Sequence, residues 1–112
     1  MKKILLVDDD MATLQGLQMC FGSKNFPTIS ATNVSAAKQL FDTEDISLVC
    51  TDWDLPGGKT GLDILTYARE RNIPVVFLKF TPPFRLTKRV SELFRKTENA
   101  VVPFRKRGNT GR

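Results

Sequence analysis

Two short apolar runs, each ending on aspartate, set the limits on what this chain can fold into. Ile4-Leu5-Leu6-Val7 runs straight into Asp8-Asp9-Asp10, and Ile46 with Leu48-Val49-Cys50 leads through Thr51 to Asp52. Continuous apolar residues over so short a span suit a strand buried on both faces, whereas a strand with one wet face alternates. Such strands belong to parallel sheets covered on both sides.

The segments between them have helical spacing. Met11, Leu14, Leu17 and Phe21 form one stripe, with Asp9 or Asp10 placed to cap its start and Gly22 to stop it. Thr28-Ile29-Ser30-Ala31 reads as a strand after Pro27, and Asn33 caps a second helix striped by Val34, Ala37, Leu40 and Phe41. Trp53 to Gly61 is dense in turn formers and reads as a loop. Leu62, Ile64, Leu65 and Ala68 predict a third helix that ends near Asn72 on the approach to Pro74, followed by a strand at Val75-Val76-Phe77-Leu78. Beyond the break at Thr81-Pro82-Pro83, residues from Leu86 to about Thr97 form a basic amphipathic helix with Val90, Leu93 and Phe94 inward. Ala100-Val101-Val102 is a last short strand before Pro103.

Strands alternating with helices of about ten residues imply right-handed βαβ crossovers and an α/β fold with a five-stranded parallel sheet. We assign residues 1–104 to one domain and residues 105–112 to a basic flexible tail too short for a covering helix. A chain of 112 residues, 41% hydrophobic and 26% charged, fits one globular core. No apolar run approaches the ~20 residues of a membrane span, and the N-terminal run is too short for a secretory signal. The absence of histidine excludes Ser-His catalysis and imidazole-bound zinc. The two cysteines, Cys20 and Cys50, read as small core residues kept reduced in a cytoplasm.

Charge is distributed unevenly. Residues 1–56 carry four Lys and eight acids, whereas residues 57–112 carry thirteen Lys or Arg and four acids. The acidic half holds the candidate chemistry. In open parallel sheets ligands bind beyond the carboxyl ends of the strands, where Asp8, Asp9 and Asp52 fall. Carboxylates brought that close repel, and a divalent cation relieves the repulsion; an all-oxygen set favours Mg2+ over zinc. A carboxylate beside Mg2+ is also a nucleophile able to hold a phosphoryl group as an acyl phosphate.

These residues resemble a known family. Lys3-Ile4-Leu5-Leu6-Val7-Asp8-Asp9-Asp10 is similar to the opening of a CheY-like response-regulator receiver domain. Leu48 to Gly57 and Gly61-Leu62-Asp63-Ile64-Leu65 resemble its phosphorylation loop and third helix, and Ile73 to Leu78 its fourth strand. The resemblance implies a flavodoxin-like, doubly wound sheet of order 2-1-3-4-5, with the fifth helix absent or truncated here. It implies a signal-transduction receiver in which Asp52 is the phosphoacceptor. Asp8, Asp9 and Asp52 would bind Mg2+ together with the main-chain carbonyl of Asp54. The implied partner is a sensor histidine kinase or phosphotransfer protein. Three positions depart from the pattern: Lys79 stands where a Thr or Ser belongs, Val102 where a Lys belongs, and Asn99 at the aromatic switch. The sequence thus resembles a degenerate receiver with altered readout. The missing helix predicts an apolar strip beside the first helix; either the chain is a piece of something longer or another subunit covers the strip, and the expectation is a homo-oligomer. Val102-Pro103 is a candidate cis bond.

Other readings remain open. Lys79 could serve as a counter-charge in the acidic pocket, with Thr81 as a surrogate hydroxyl. Asp52-Trp53-Asp54 also matches the D-x-D of haloacid-dehalogenase-like phosphotransferases, with Asp52 as nucleophile and Asp54 as acid-base. Arg85, Lys88, Arg89, Arg95 and Lys96 with Arg105-Lys106-Arg107 could attract nucleic acid, although no recognition motif accompanies them.

Overall fold

Both apolar runs form central strands. The computed structural model describes residues 2–78 and, beyond them, Lys88, Val90, Glu92 and Leu93. β1 (Lys3–Val7) leads to α1 (Met11–Gly22), β2 (Thr28–Ala31), α2 (Val34–Thr43) and β3 (Ile46–Thr51). A small hairpin of β4 (Asp54–Leu55) and β5 (Lys59–Thr60) precedes α3 (Gly61–Glu70) and β6 (Val75–Phe77). The main sheet is parallel with the order β2-β1-β3-β6, the flavodoxin-like winding expected with β6 as its fourth strand. The expected fifth strand, Asn99, Val102, the Val102-Pro103 bond and the tail of 105–112 lie outside the described residues.

Alternation along the strands divides the core between the two faces. Ile4, Leu6, Leu48, Cys50 and Val76 pack under Leu14 and Phe21 of α1 on one side. Leu5, Val7 and Val49 pack under Val34, Ala37 and Phe41 of α2 and Ile64 and Ala68 of α3 on the other. Burying each large apolar side chain contributes about 1.5–3 kcal/mol. Val90 is fully buried in the α1-side cluster, and Leu93 packs against it, whereas Lys88 and Glu92 are exposed. At these four positions the inward and outward sides follow the predicted stripe, whose third inward member, Phe94, lies outside the described residues. Part of the face expected to lie bare beside α1 thus carries side chains from the segment after β6.

Local chemistry sets the boundaries. Asp10, rather than Asp9, caps α1: its Oδ1 accepts from the Ala12 N–H at 3.1 Å and its Oδ2 from the Thr13 hydroxyl at 2.7 Å. Asn33 caps α2 through the Ala36 N–H at 2.8 Å, as expected. Gly22 is the last residue of α1 rather than its stop, and the chain turns at Asn25, whose φ is 63°. Asn72 turns the chain after α3 with φ 57°.

Several expectations are corrected. Met11 and Leu62 are 58% and 53% exposed, because each stands in the first turn of its helix, outside the layer over the sheet. Cys20 is exposed, since Leu14, Leu17 and Phe21 take the inward side of α1; Cys50 is buried. The stretch 53–61 is a hairpin rather than a loop, turned by Gly57 at φ 75° and Gly58 at φ 71°, a region closed to most side chains.

Candidate functional site

Register brings the acids together. Val7 pairs with Thr51, so the residues that follow, Asp8 and Asp52, leave adjacent strands side by side. The Asp52 N–H extends the ladder by donating to the Val7 carbonyl at 2.9 Å, and the Asp8 N–H reaches Ala31 at 3.2 Å. Asp8, Asp9 and Asp52 each offer a carboxylate oxygen, all within 4.8 Å of one another. Asp8 is only 6% exposed, Asp52 is half-buried and Asp9 is exposed.

Electrostatics at Asp8 follow from this placement. Burial pushes its carboxyl above the usual range, the hydrogen bond from the Asp10 N–H at 2.9 Å opposes that, and the charges of Asp52, Asp9 and Asp10 push it higher again. Asp10 is held low by the Thr13 hydroxyl and the Ala12 N–H, so it belongs to the helix cap. Of the sequence's acidic run, then, two residues face the cluster and one caps α1.

The loop after β3 fixes the acceptor side. Asp52 Oδ1 accepts from the Trp53 N–H at 2.8 Å, and the Asp52 carbonyl accepts from the Thr51 hydroxyl at 2.9 Å. The Trp53 ring meets Phe77 edge-on, with centroids 5.5 Å apart. Asp54 is exposed in β4. Lys79 and Thr81 lie outside the described residues.

Some supporting residues were not singled out from the sequence. Thr60 and Asp63 form a reciprocal capping box at the start of α3, a pattern that Thr-x-x-Asp before an apolar stripe could have signalled. Gly61 and Phe77 act through contacts between elements, for which spacing carries no signal, and the Thr51 hydroxyl turns to the carbonyl of the next residue, a side-chain direction that spacing does not give.

The donor set is compatible with a hard divalent cation: three carboxylates, one of them buried against its own ionisation, in a chain without histidine. Comparison with known proteins agrees with this geometry. Residues 4–82 match the family model of the response regulator receiver domain. The chain belongs to that family. Receiver domains bind Mg2+ at an acidic pocket of this kind and act as phosphoacceptors in two-component signalling. The chain is 37% identical over 71 residues to the response regulator protein PilR of Pseudomonas aeruginosa, covering 63% of this chain and 16% of that protein. It is 34% identical over 76 residues to the aerobic respiration control protein ArcA of Escherichia coli, 67% of this chain and 32% of that one. It is 32% identical over 91 residues to the transcriptional regulatory protein BasR of Escherichia coli, 81% and 40% respectively. The receiver thus spans well under half the length of these relatives. Among solved structures, a Francisella response-regulator receiver domain superposes with a TM-score of 0.73 at 24% identity, covering 85% of this chain and 98% of that one. The response regulator TrrA of Thermotoga maritima, solved with Mg2+–BeF, superposes at 0.68 with 22% identity, covering 83% and 99%. These structural likenesses bear on the fold.

Proposed function

We propose that this receiver is a Mg2+-dependent phosphoacceptor on Asp52, supplied by a sensor histidine kinase or phosphotransfer protein. The observation that carries the reading is the convergence of Asp8, Asp9 and Asp52 within 4.8 Å at the carboxyl edge of the sheet. Asp8 and Asp9 with Asp52 and the main-chain carbonyl of Asp54 would hold the ion. When bound, Mg2+ draws charge from the transferring oxygens and offsets the repulsion among the acids. The Asp52 carboxylate, oriented by the Trp53 N–H, attacks the phosphorus as the bond to the donor nitrogen breaks. The half-buried setting of Asp52 limits water around the acyl phosphate that results.

Readout is where this chain departs from the family. Lys79, Asn99 and Val102 stand at the positions that would carry the signal away from the site. We assign the output to protein–protein contacts with an altered switch, Lys79 supplying a counter-charge in place of the missing Lys.

Acetyl phosphate with Mg2+, read by intact mass, tests the acceptor. Wild type should gain one phosphoryl group and Asp52→Asn none. Labelling that persists in Asp52→Asn, or that needs no divalent cation, would overturn the reading. Sustained hydrolysis of a phosphomonoester would point instead to a phosphotransferase using Asp52 and Asp54.

A further inference from the structure

The peptide that follows Asp52 is held at both polar ends. Its carbonyl, that of Asp52, accepts from the Thr51 hydroxyl at 2.9 Å, and Thr51 is fully buried at the end of β3. Its N–H, that of Trp53, donates to Asp52 Oδ1 at 2.8 Å. Gly61 closes on the same unit: a Cβ there would meet the Asp52 carbonyl oxygen at 2.9 Å and Phe77 Cε1 at 2.8 Å, tighter than packed atoms allow. The Gly61 N–H also donates to the Trp53 carbonyl at 2.6 Å, so the start of α3 restrains two successive peptides.

Packing alone does not call for a hydroxyl at position 51. The residue sits in a central strand, paired with Val7 and Phe77, where an apolar β-branched side chain of the same shape would suit. A buried hydroxyl needs an acceptor, and this one takes the carbonyl next to the acidic cluster. A peptide unit is planar, so the group that holds its carbonyl also sets the direction of its N–H.

We propose that Thr51 is a positioning residue for Asp52. Its buried hydroxyl sets the plane of the 52–53 peptide, and the N–H of that peptide determines which carboxylate oxygen meets an incoming phosphoryl group. The kinetic consequence rests on the reading of Asp52 as phosphoacceptor; the hydrogen-bond relay does not. Displacements of about 1 Å at a reacting atom can cost up to ~100-fold in rate. A tilted carboxylate that remains in the cluster should cost less, about tenfold.

The test uses the full chain with Thr51→Val, Thr51→Ser and Gly61→Ala. Three readouts are taken: the Trp53 amide resonance without metal, Mg2+ affinity from Trp53 emission, and the rate of phosphoryl uptake from acetyl phosphate. Thr51→Val should move the Trp53 amide and slow uptake about tenfold while Mg2+ affinity stays within about twofold. Thr51→Ser should restore both, and Gly61→Ala, which presses on the same carbonyl, should also move the amide. A Thr51→Val variant with wild-type rate and an unmoved Trp53 amide overturns the proposal. Should that variant not fold, the wild-type spectrum decides, since a buried and bonded Thr51 hydroxyl proton exchanges slowly enough to be seen. Rapid exchange of that proton overturns the proposal. Wild type that takes no phosphoryl group overturns the acceptor reading, and the amide and hydroxyl protons still judge the relay.

Discussion

Asp8 and Asp52 stand side by side, each one residue beyond the paired Val7 and Thr51 of neighbouring strands. Their carboxylates belong to a cluster whose oxygens lie within 4.8 Å, and Asp8 is the most buried member. Folding the sheet therefore forces a repulsion that the unfolded chain does not have. A site of this kind trades stability for a place to bind charge.

Asp8→Asn keeps an acceptor for the Asp10 N–H and removes the buried charge. Without metal, this variant should melt roughly 3–5 °C above wild type, the size of a ~1 kcal/mol effect screened by solvent at the rim. Added Mg2+ should raise the melting temperature of wild type more than that of the variant. Calorimetry with and without Mg2+ checks both, and a variant less stable than metal-free wild type would contradict the repulsion.

The pH dependence has a defined sign. The folded state binds the Asp8 proton more tightly than the unfolded state, so this group's contribution to stability falls as pH rises from 3.8 through its folded-state value. The advantage of Asp8→Asn should accordingly be largest near neutrality and vanish below pH 3.8, where both states hold the proton. Asp10 runs the other way: its cap stabilises above 3.8 and is lost as pH falls through its lowered value. Urea unfolding of metal-free wild type and variant across this range measures the gap directly.

Thiol chemistry separates the two cysteines. Burial pushes the Cys50 thiol up to about 12, and its side chain faces the α1-side core, while Cys20 lies exposed on α1. A disulfide reagent should titrate one thiol in the native protein and two in denaturant, with Cys20→Ser abolishing the native reaction.

Arg71 ties α3 to α2. Its guanidinium lies 4.2 Å from the Tyr67 ring centroid, donates to Asp42 at 2.9 Å and to the Tyr67 carbonyl at 3.1 Å. Arg71→Ala should cost about 1 kcal/mol, most of it from the ring contact, since an exposed ion pair contributes little. Arg71→Lys should recover only part, because an ammonium cannot stack flat on the ring. Equilibrium denaturation of the two variants gives the comparison.

What the sequence determined was local. Uninterrupted apolar runs marked buried strands, helical stripes marked the segments between them, and Asn33 and the acids at 8–10 announced helix starts. The acids at strand ends could also be assigned to one edge, because a parallel sheet sends all its strand ends the same way. Folding settled what depends on rotation and register. A stripe read from spacing placed Met11 and Leu62 inward although each stands in the first turn of its helix, beyond the layer over the sheet, and residue type placed Cys20 in the core although Leu14, Leu17 and Phe21 take the inward side of α1. The hold on the peptide after Asp52 brings together Thr51 of β3 and Gly61 of α3, with Phe77 of β6 closing on Gly61. No spacing rule could join these residues, because their contact exists only once the three elements pack at contact distance.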